Sequence, residues 1–299
     1  MDYQNSVTLI VPKTFNELVN AIANNPSAVL FAGGTHLMSQ PGYYPQENVH
    51  SYIYLGQIPE LHKIQHTDKY LELGSMVTIR QLLNISSGLF STYLYKAIES
   101  IGTSILRSQM TIGGALCMDK VRCALSCILC SMKAQVEIKF ISNFGIFKKH
   151  SVHSRWISAD KLYDSDGRFL YRDNAILTRI RIPSDQNTVL NFKQIGSVVH
   201  TPETAVIMAL QYTISQDNLL YPNFCMSFIN NGIFLVQDFD NIIRSLKFPL
   251  SSMSMQKVSM ELKKMIQTEC PKATAIQAER ARRMILETLV EANNAYLDS

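Results

Sequence analysis

The chain carries two glycine pairs at positions that few folds can use. Gly33-Gly34 follows directly on Ala28 to Phe31, a short apolar run that reads as a buried strand. Gly113-Gly114 follows Thr111-Ile112 some 80 residues later, ahead of a helical segment. Paired glycines let backbone N–H groups approach an anion with no side chain in the way, forming a concave nest suited to a pyrophosphate. A hydroxyl from Thr35 or Thr111 would add a hydrogen bond to a phosphate oxygen. A lone Gly-Gly is also what an ordinary tight turn looks like. Neither loop is a G-x-G-x-x-G fingerprint or a P-loop, so a Rossmann nucleotide site is not supported.

The segments around these loops mix strand and helix signals. Ser6 to Val11 reads as a strand, Thr14-Phe15-Asn16-Glu17 as a capping box opening a helix through Asn24, and Ala28 to Phe31 as the strand that feeds the first loop. Strands follow at Ser51 to Leu55 and Tyr70 to Leu73, and a second capping box at Thr78-Ile79-Arg80-Gln81. Helical spacing runs from Phe90 to Ile101 and from Arg122 to Met132; Ala134 to Ile141 and Ala175 to Ile182 read as strands, the latter closed by Pro183. Residues 184–190 are mostly polar, follow a proline and read as a linker. Strand-like runs then come at Asn191 to Ile195, Ala205 to Thr213, Asn223 to Ile229 and Gly232 to Val236, before two helices, Met255 to Thr268 and Ala273 to Leu297.

Charge narrows the partners. The net charge of +4 comes from 28 basic and 24 acidic residues that are scattered, so nucleic acid is not the expected partner. No segment reaches the roughly 18 apolar residues of a membrane span. The first residues lack a basic region followed by an apolar stretch, so no membrane insertion and a cytoplasmic location are expected. Six cysteines in 299 residues, four of them between Cys117 and Cys130, do not form the framework of a small secreted domain, and reduced thiols are expected.

Longer stretches carry a resemblance to a known family. Val29-Leu30-Phe31-Ala32-Gly33-Gly34-Thr35-His36-Leu37 resembles the first flavin loop of the FAD-binding subunits of molybdenum hydroxylases of the xanthine dehydrogenase and carbon monoxide dehydrogenase type. Ile53 to Leu61 and Leu73 to Ile79 look like the segments that follow it there, and Thr111-Ile112-Gly113-Gly114 resembles the second flavin loop. Phe192-Lys193-Gln194-Ile195-Gly196 is similar to a later stretch of the family.

The resemblance implies an α+β fold: two α/β subdomains of the FAD-binding type found in p-cresol methylhydroxylase-like flavoproteins, then a small C-terminal domain with an antiparallel sheet and helices. It places the FAD-binding domain at 1–185, divided near 50–55, and the C-terminal domain at 186–299. It implies FAD as cofactor, with Leu30, Phe31, Ala32, Gly33, Gly34, Thr35, His36 and Leu37 on the pyrophosphate side. Thr111, Gly113 and Gly114 would close over it, and Leu177 and Lys193 would contact it near the flavin. It further implies a molybdopterin-binding large subunit and a [2Fe–2S] small subunit as partners, and NAD or another electron acceptor.

The chain departs from the family pattern at several places. Ala115 stands where the family has Asn, and Ala124 where it has Asp; Ile105-Leu106-Arg107-Ser108 replaces Gln-Ile-Arg-Asn, and Val198 replaces an Arg. Those losses keep a flavin-free scaffold subunit open as a second reading, with an independent flavin reductase as a third. Separately, Cys123, Cys127 and Cys130 have the C-x3-C-x2-C spacing of three thiolates on an iron–sulfur cube. Positions i, i+4 and i+7 also share one helix face, and packing in a core is the favoured account, with no metal assigned.

Overall fold

The protein is described by a computed structural model covering residues 7–39, 49–89, 92–118, 124–144, 149–172, 174–183, 188–197, 201–215, 217–228, 232–234 and 237–298. Cys123, Val198 and 184–187 lie outside the described residues, as do Phe90 and the ends of the runs expected to reach Ile229 and Val236.

Three sheets follow one another along the chain. The first joins Thr8–Ile10 (β1), Val29–Phe31 (β2) and Ser51–Tyr54 (β3) in the order β1-β3-β2, all parallel. The helix Phe15–Asn24 (α1) buries Leu18, Val19, Ala21 and Ile22 in a core shared with Ile53 and Leu55. Thr14 caps it by accepting the Glu17 N–H at 3.2 Å. The reciprocal arm of the expected box goes elsewhere: Glu17 accepts the N–H of Lys13 at 2.8 Å.

The second sheet is antiparallel throughout and contains Ile64–His66 (β4), Tyr70–Gly74 (β5), Gln135–Phe144 (β6), Lys149–Ser158 (β7) and Ala175–Pro183 (β8), in the order β4-β5-β8-β6-β7. Between β5 and β6 the chain makes Ile79–Leu89 (α2), Thr92–Glu99 (α3), Ser104–Gln109 (α4), Ile112–Leu116 (α5) and Ala124–Ser131 (α6). The capping box expected at α2 is complete, since Gln81 N–H donates to Thr78 Oγ1 and Thr78 N–H to Gln81 Oε1. Arg107, at the altered Ile105–Ser108 stretch, ties α4 to the end of α3 by donating to the carbonyls of Glu99, Ile101 and Gly102. No strand signal arises at β7 because it is an edge strand, with a mostly exposed polar surface and few apolar residues to show a period.

The third sheet runs Val189–Ile195 (β9), Val206–Ser215 (β10), Asn218–Phe228 (β11) and Gly232–Phe234 (β12), antiparallel in sequential order. The helices Gln237–Arg244 (α7), Ser252–Glu269 (α8) and Ala275–Leu297 (α9) follow. Strand β9 begins at Val189, so the polar stretch expected to reach 190 ends earlier. Because β10 and β11 are covered on both faces, they read as nearly continuous apolar runs. Val206, Met208, Leu210, Phe224 and Met226 pack with the residues of α8 and α9. Ile207, Ala209 and Cys225 point the other way and join Leu125, Ile128 and Leu129 of α6 in the core of the second sheet. No helix among the described residues is long and apolar enough to cross a membrane.

One buried carboxylate in the third unit sets up a pH effect. Asp240 Oδ1 accepts the N–H of Phe224 at 2.8 Å. Burial raises its acid to about 6, against the opposing pull of that hydrogen bond and of Lys133 and Arg244. With the folded-state value raised above the ordinary 3.8, stability falls as pH rises from about 4 to about 6. Asp240→Asn keeps the acceptor and removes the charge. It is expected to raise unfolding stability at pH 7.5 by on the order of 1 kcal/mol and to give no gain at pH 4, as read by urea unfolding at both pH values.

Candidate functional site

Strand β2 delivers the chain into the first glycine loop. Gly34 adopts φ +72°, which a side chain resists, and a Cβ there would lie 2.8 Å from the Phe31 ring. A Cβ on Gly33 would meet the carbonyl oxygen of Gln109 at 1.9 Å. The first loop is therefore pressed onto the segment that leads into the second. Among the described residues, the amide N–H groups of Gly33, Gly34 and Thr35 have no hydrogen-bond acceptor, while the Gly34 carbonyl accepts from Met38.

The second loop is built differently. Its amides are engaged: Ile112 donates to Val77 O at 2.9 Å, Gly113 to Ser75 O at 2.9 Å and Gly114 to Thr111 Oγ1 at 3.1 Å. Thr111 Oγ1 thus caps its own five-residue helix as an acceptor. Gly113 is needed for close approach, because a Cβ would sit 2.6 Å from the Cβ of Ser75. Tyr163 fixes the far end of α5 by donating to Leu116 O at 2.6 Å, and its oxygen lies 2.9 Å from Ser126 Oγ on α6.

Between the two loops lies a cavity of about 460 Å³. Of the candidate residues, Leu30, Ala32, Gly33, Gly34, Thr35, His36, Leu37, Thr111, Gly113, Gly114 and Leu177 line it. Phe31 does not; its ring packs beneath Gly34 against Tyr52 and Tyr54. Lys193 is not brought to the cavity either. The β9–β10 register sets it opposite Met208, on the face turned to α9, where Glu291 and Glu287 hold its ammonium at 2.7 and 3.1 Å.

Several lining residues had no signal in the glycine motifs: Ser75, Cys117, Phe169, Tyr171 and Arg172. They come from connections that only the fold brings to this wall, although Ser75 and Cys117 adjoin recognisable stretches. Ala115 lines the cavity without offering a hydrogen bond, whereas Ala124 is buried in the core and does not line it. No carboxylate lines the cavity among the described residues, and Arg172 supplies a positive charge. The protein packed around Cys117 raises its thiol to about 12, Arg172 pulling the other way, even though the residue is open to the cavity.

Two other clusters do not make sites. Cys127 and Cys130 are buried on α6 next to Cys225 of β11, with Cys127 Sγ 3.3 Å from the Cys225 carbonyl oxygen. Burial pushes the Cys130 and Cys225 thiols up. A smaller cavity of about 350 Å³ is flanked by Glu72, Glu137, Lys139 and Arg179. Its main charges satisfy one another: Glu137 accepts two bonds from Arg179 and one from Thr178, and Glu72 accepts from Arg179 and Arg181.

Residues 5–185 match the family model described as the FAD binding domain in molybdopterin dehydrogenase. A segment of 83 residues is 32% identical to aldehyde oxidase 4 of Arabidopsis thaliana, a match that spans 26% of this chain and 6% of that protein. A chain of carbon monoxide dehydrogenase from Hydrogenophaga pseudoflava superposes with a TM-score of 0.77 at 15% identity, over 94% of this chain and 95% of that one. A chain of quinoline 2-oxidoreductase from Pseudomonas putida 86 gives 0.75 at 14% identity, over 99% of both. A chain of reconstituted CO dehydrogenase from Oligotropha carboxidovorans gives 0.74 at 16% identity, over 95% of both. At such identities these likenesses speak for the fold, and the expected α+β architecture is borne out over nearly the whole chain. Through its family-model match, the chain belongs to the family of FAD-binding domains found in molybdopterin dehydrogenases.

Proposed function

We propose that this chain carries FAD as the electron-transfer subunit of a molybdopterin-dependent dehydrogenase or hydroxylase complex. It would take electrons from an iron–sulfur subunit and pass them to NAD or another acceptor. The observation that carries the reading is the run of amides at Gly33, Gly34 and Thr35: among the described residues these have no acceptor, and the cavity they border is lined by no carboxylate and by Arg172. Such an array suits the pyrophosphate of a dinucleotide. When bound, the flavin supplies the redox chemistry, while the chain supplies position, charge and a partly apolar wall. On this reading the first loop holds the phosphates, and Thr111, Gly113 and Gly114 shape the opposing wall. The division at about 185 separates the flavin-binding region from a C-terminal domain.

Ala115 favours a second reading, a scaffold subunit that has lost its flavin, because it removes one side-chain contact from the cavity wall. A lost hydrogen bond of this kind weakens binding by roughly 0.5–1.5 kcal/mol, too little alone to abolish a dinucleotide site. The visible spectrum of the purified chain, followed by FAD titration, separates the two. Saturable binding of one FAD per chain is expected, and a colourless protein that refuses added FAD would establish the scaffold.

A further inference from the structure

Ser75 lies in the connection between β5 and α2, 4% exposed, and its Oγ has no hydrogen-bond partner. Its backbone is fully engaged: its N–H donates to Thr178 O at 2.9 Å and its carbonyl accepts from Gly113. The residue is therefore fixed in place, and its hydroxyl borders the cavity between the glycine loops. A buried hydroxyl without a partner is unfavourable, and an alanine in the same place would pack as well without that penalty. Thr111, the other hydroxyl on that side, already accepts from Gly114.

From this we infer that Ser75 is a direct ligand of the dinucleotide, its Oγ–H donating to an acceptor atom of bound FAD. The contact replaces, on the β5–α2 connection, a side-chain hydrogen bond that Ala115 does not offer from α5. The inference rests on the flavin reading proposed above. It adds a residue that the glycine loops do not identify and predicts that the free chain is less well satisfied than the loaded one.

The test compares wild type with Ser75→Ala and Ser75→Cys, the latter keeping the side-chain volume with a weaker donor. FAD affinity is measured by fluorescence titration of the apo chain, and apo stability by thermal unfolding. The expected result is about three- to tenfold weaker FAD binding in both variants, with the apo midpoint of Ser75→Ala unchanged or raised. FAD binding by wild type with no change of affinity in either variant would overturn the role of Ser75 and leave the flavin reading standing. Weaker binding together with a lowered apo midpoint in Ser75→Ala would also overturn it, because the hydroxyl would then be serving the fold. Absence of FAD binding by wild type would remove both.

Discussion

Replacing Gly33 by alanine is expected to leave the far-UV circular dichroism of the chain unchanged while making it purify colourless and bind added FAD at least about 100-fold more weakly. The new Cβ would stand 1.9 Å from the Gln109 carbonyl oxygen, and the obstacle is backbone, with no flexible side chain to swing aside. The loop must therefore move as a unit, and the N–H groups of Gly33, Gly34 and Thr35 move with it. Hydrogen bonds to charged groups contribute roughly 1.5–3 kcal/mol each, so disrupting two of them accounts for a loss of that size. Overpacking of this kind also costs about 1–3 kcal/mol of stability, which should appear in thermal unfolding of the apo chain. Gly114→Ala provides the contrast. Its Cβ would meet mainly Thr111 Oγ1 at 2.8 Å, so the helix cap is disturbed while the first loop stays in place. Full FAD uptake by Gly33→Ala would show that the first loop does not hold the dinucleotide.

Arg179→Ala is expected to cause the largest loss of stability, about 3 kcal/mol and several degrees in the unfolding midpoint. Glu137 is nearly buried, with a side chain 3% exposed, and is neutralised from the neighbouring strand by Arg179, whose nitrogens lie 2.8 Å from both carboxylate oxygens. Arg179 is itself 41% exposed and stacks toward Trp156 with Arg181, which places the estimate at the low end for a buried pair. Removing the arginine leaves a charge still held by the hydrogen bond from Thr178 at 2.6 Å. Adding Glu137→Gln to Arg179→Ala should recover much of the loss, which a simple packing defect would not allow. The pH dependence has a definite sign. Burial alone would raise the Glu137 acid, but the hydrogen bonds from Arg179 and Thr178 outweigh it and hold it below its ordinary 4.5. The pair therefore stabilises wild type above about pH 4.5, and that contribution fades as pH falls through the lowered value. In Arg179→Ala this acid-side loss should shrink.

Much of the molecule was legible from local pattern. The cap at Thr14, the complete box at Thr78 and Gln81, and the strand that feeds Gly33 all depend on contacts within a few residues. The elements that escaped include β4, β7 and α4, which lack a strong apolar period because an edge strand or a short surface helix buries little, and α7, whose Phe239 and Ile243 are buried but whose eight residues are too few to show a repeat. The linker was drawn two residues too long: Val189 and Leu190 are apolar and already belong to β9. Within the site, the glycine pair of the first loop is legible because part of its requirement is local: Gly34 has a positive φ. Lys193 was misplaced because its side depends on the pairing of β9 with β10 and on where α9 lies.

What the sequence determined by itself was most of the elements in their order, the family and the turn at Gly34, because periodicity, capping and backbone sterics act over a few residues. Tertiary structure decided which of those positions have hydrogen bonds left to give. Gly113 and Gly114 spend their amides on Ser75 and Thr111, while Gly33, Gly34 and Thr35 keep theirs, and Ser75 joins the cavity across 37 residues of intervening chain from Gly113. Two glycine pairs that look alike in sequence differ because each N–H is satisfied or left open by what packs against it, and that partner lies far away along the chain.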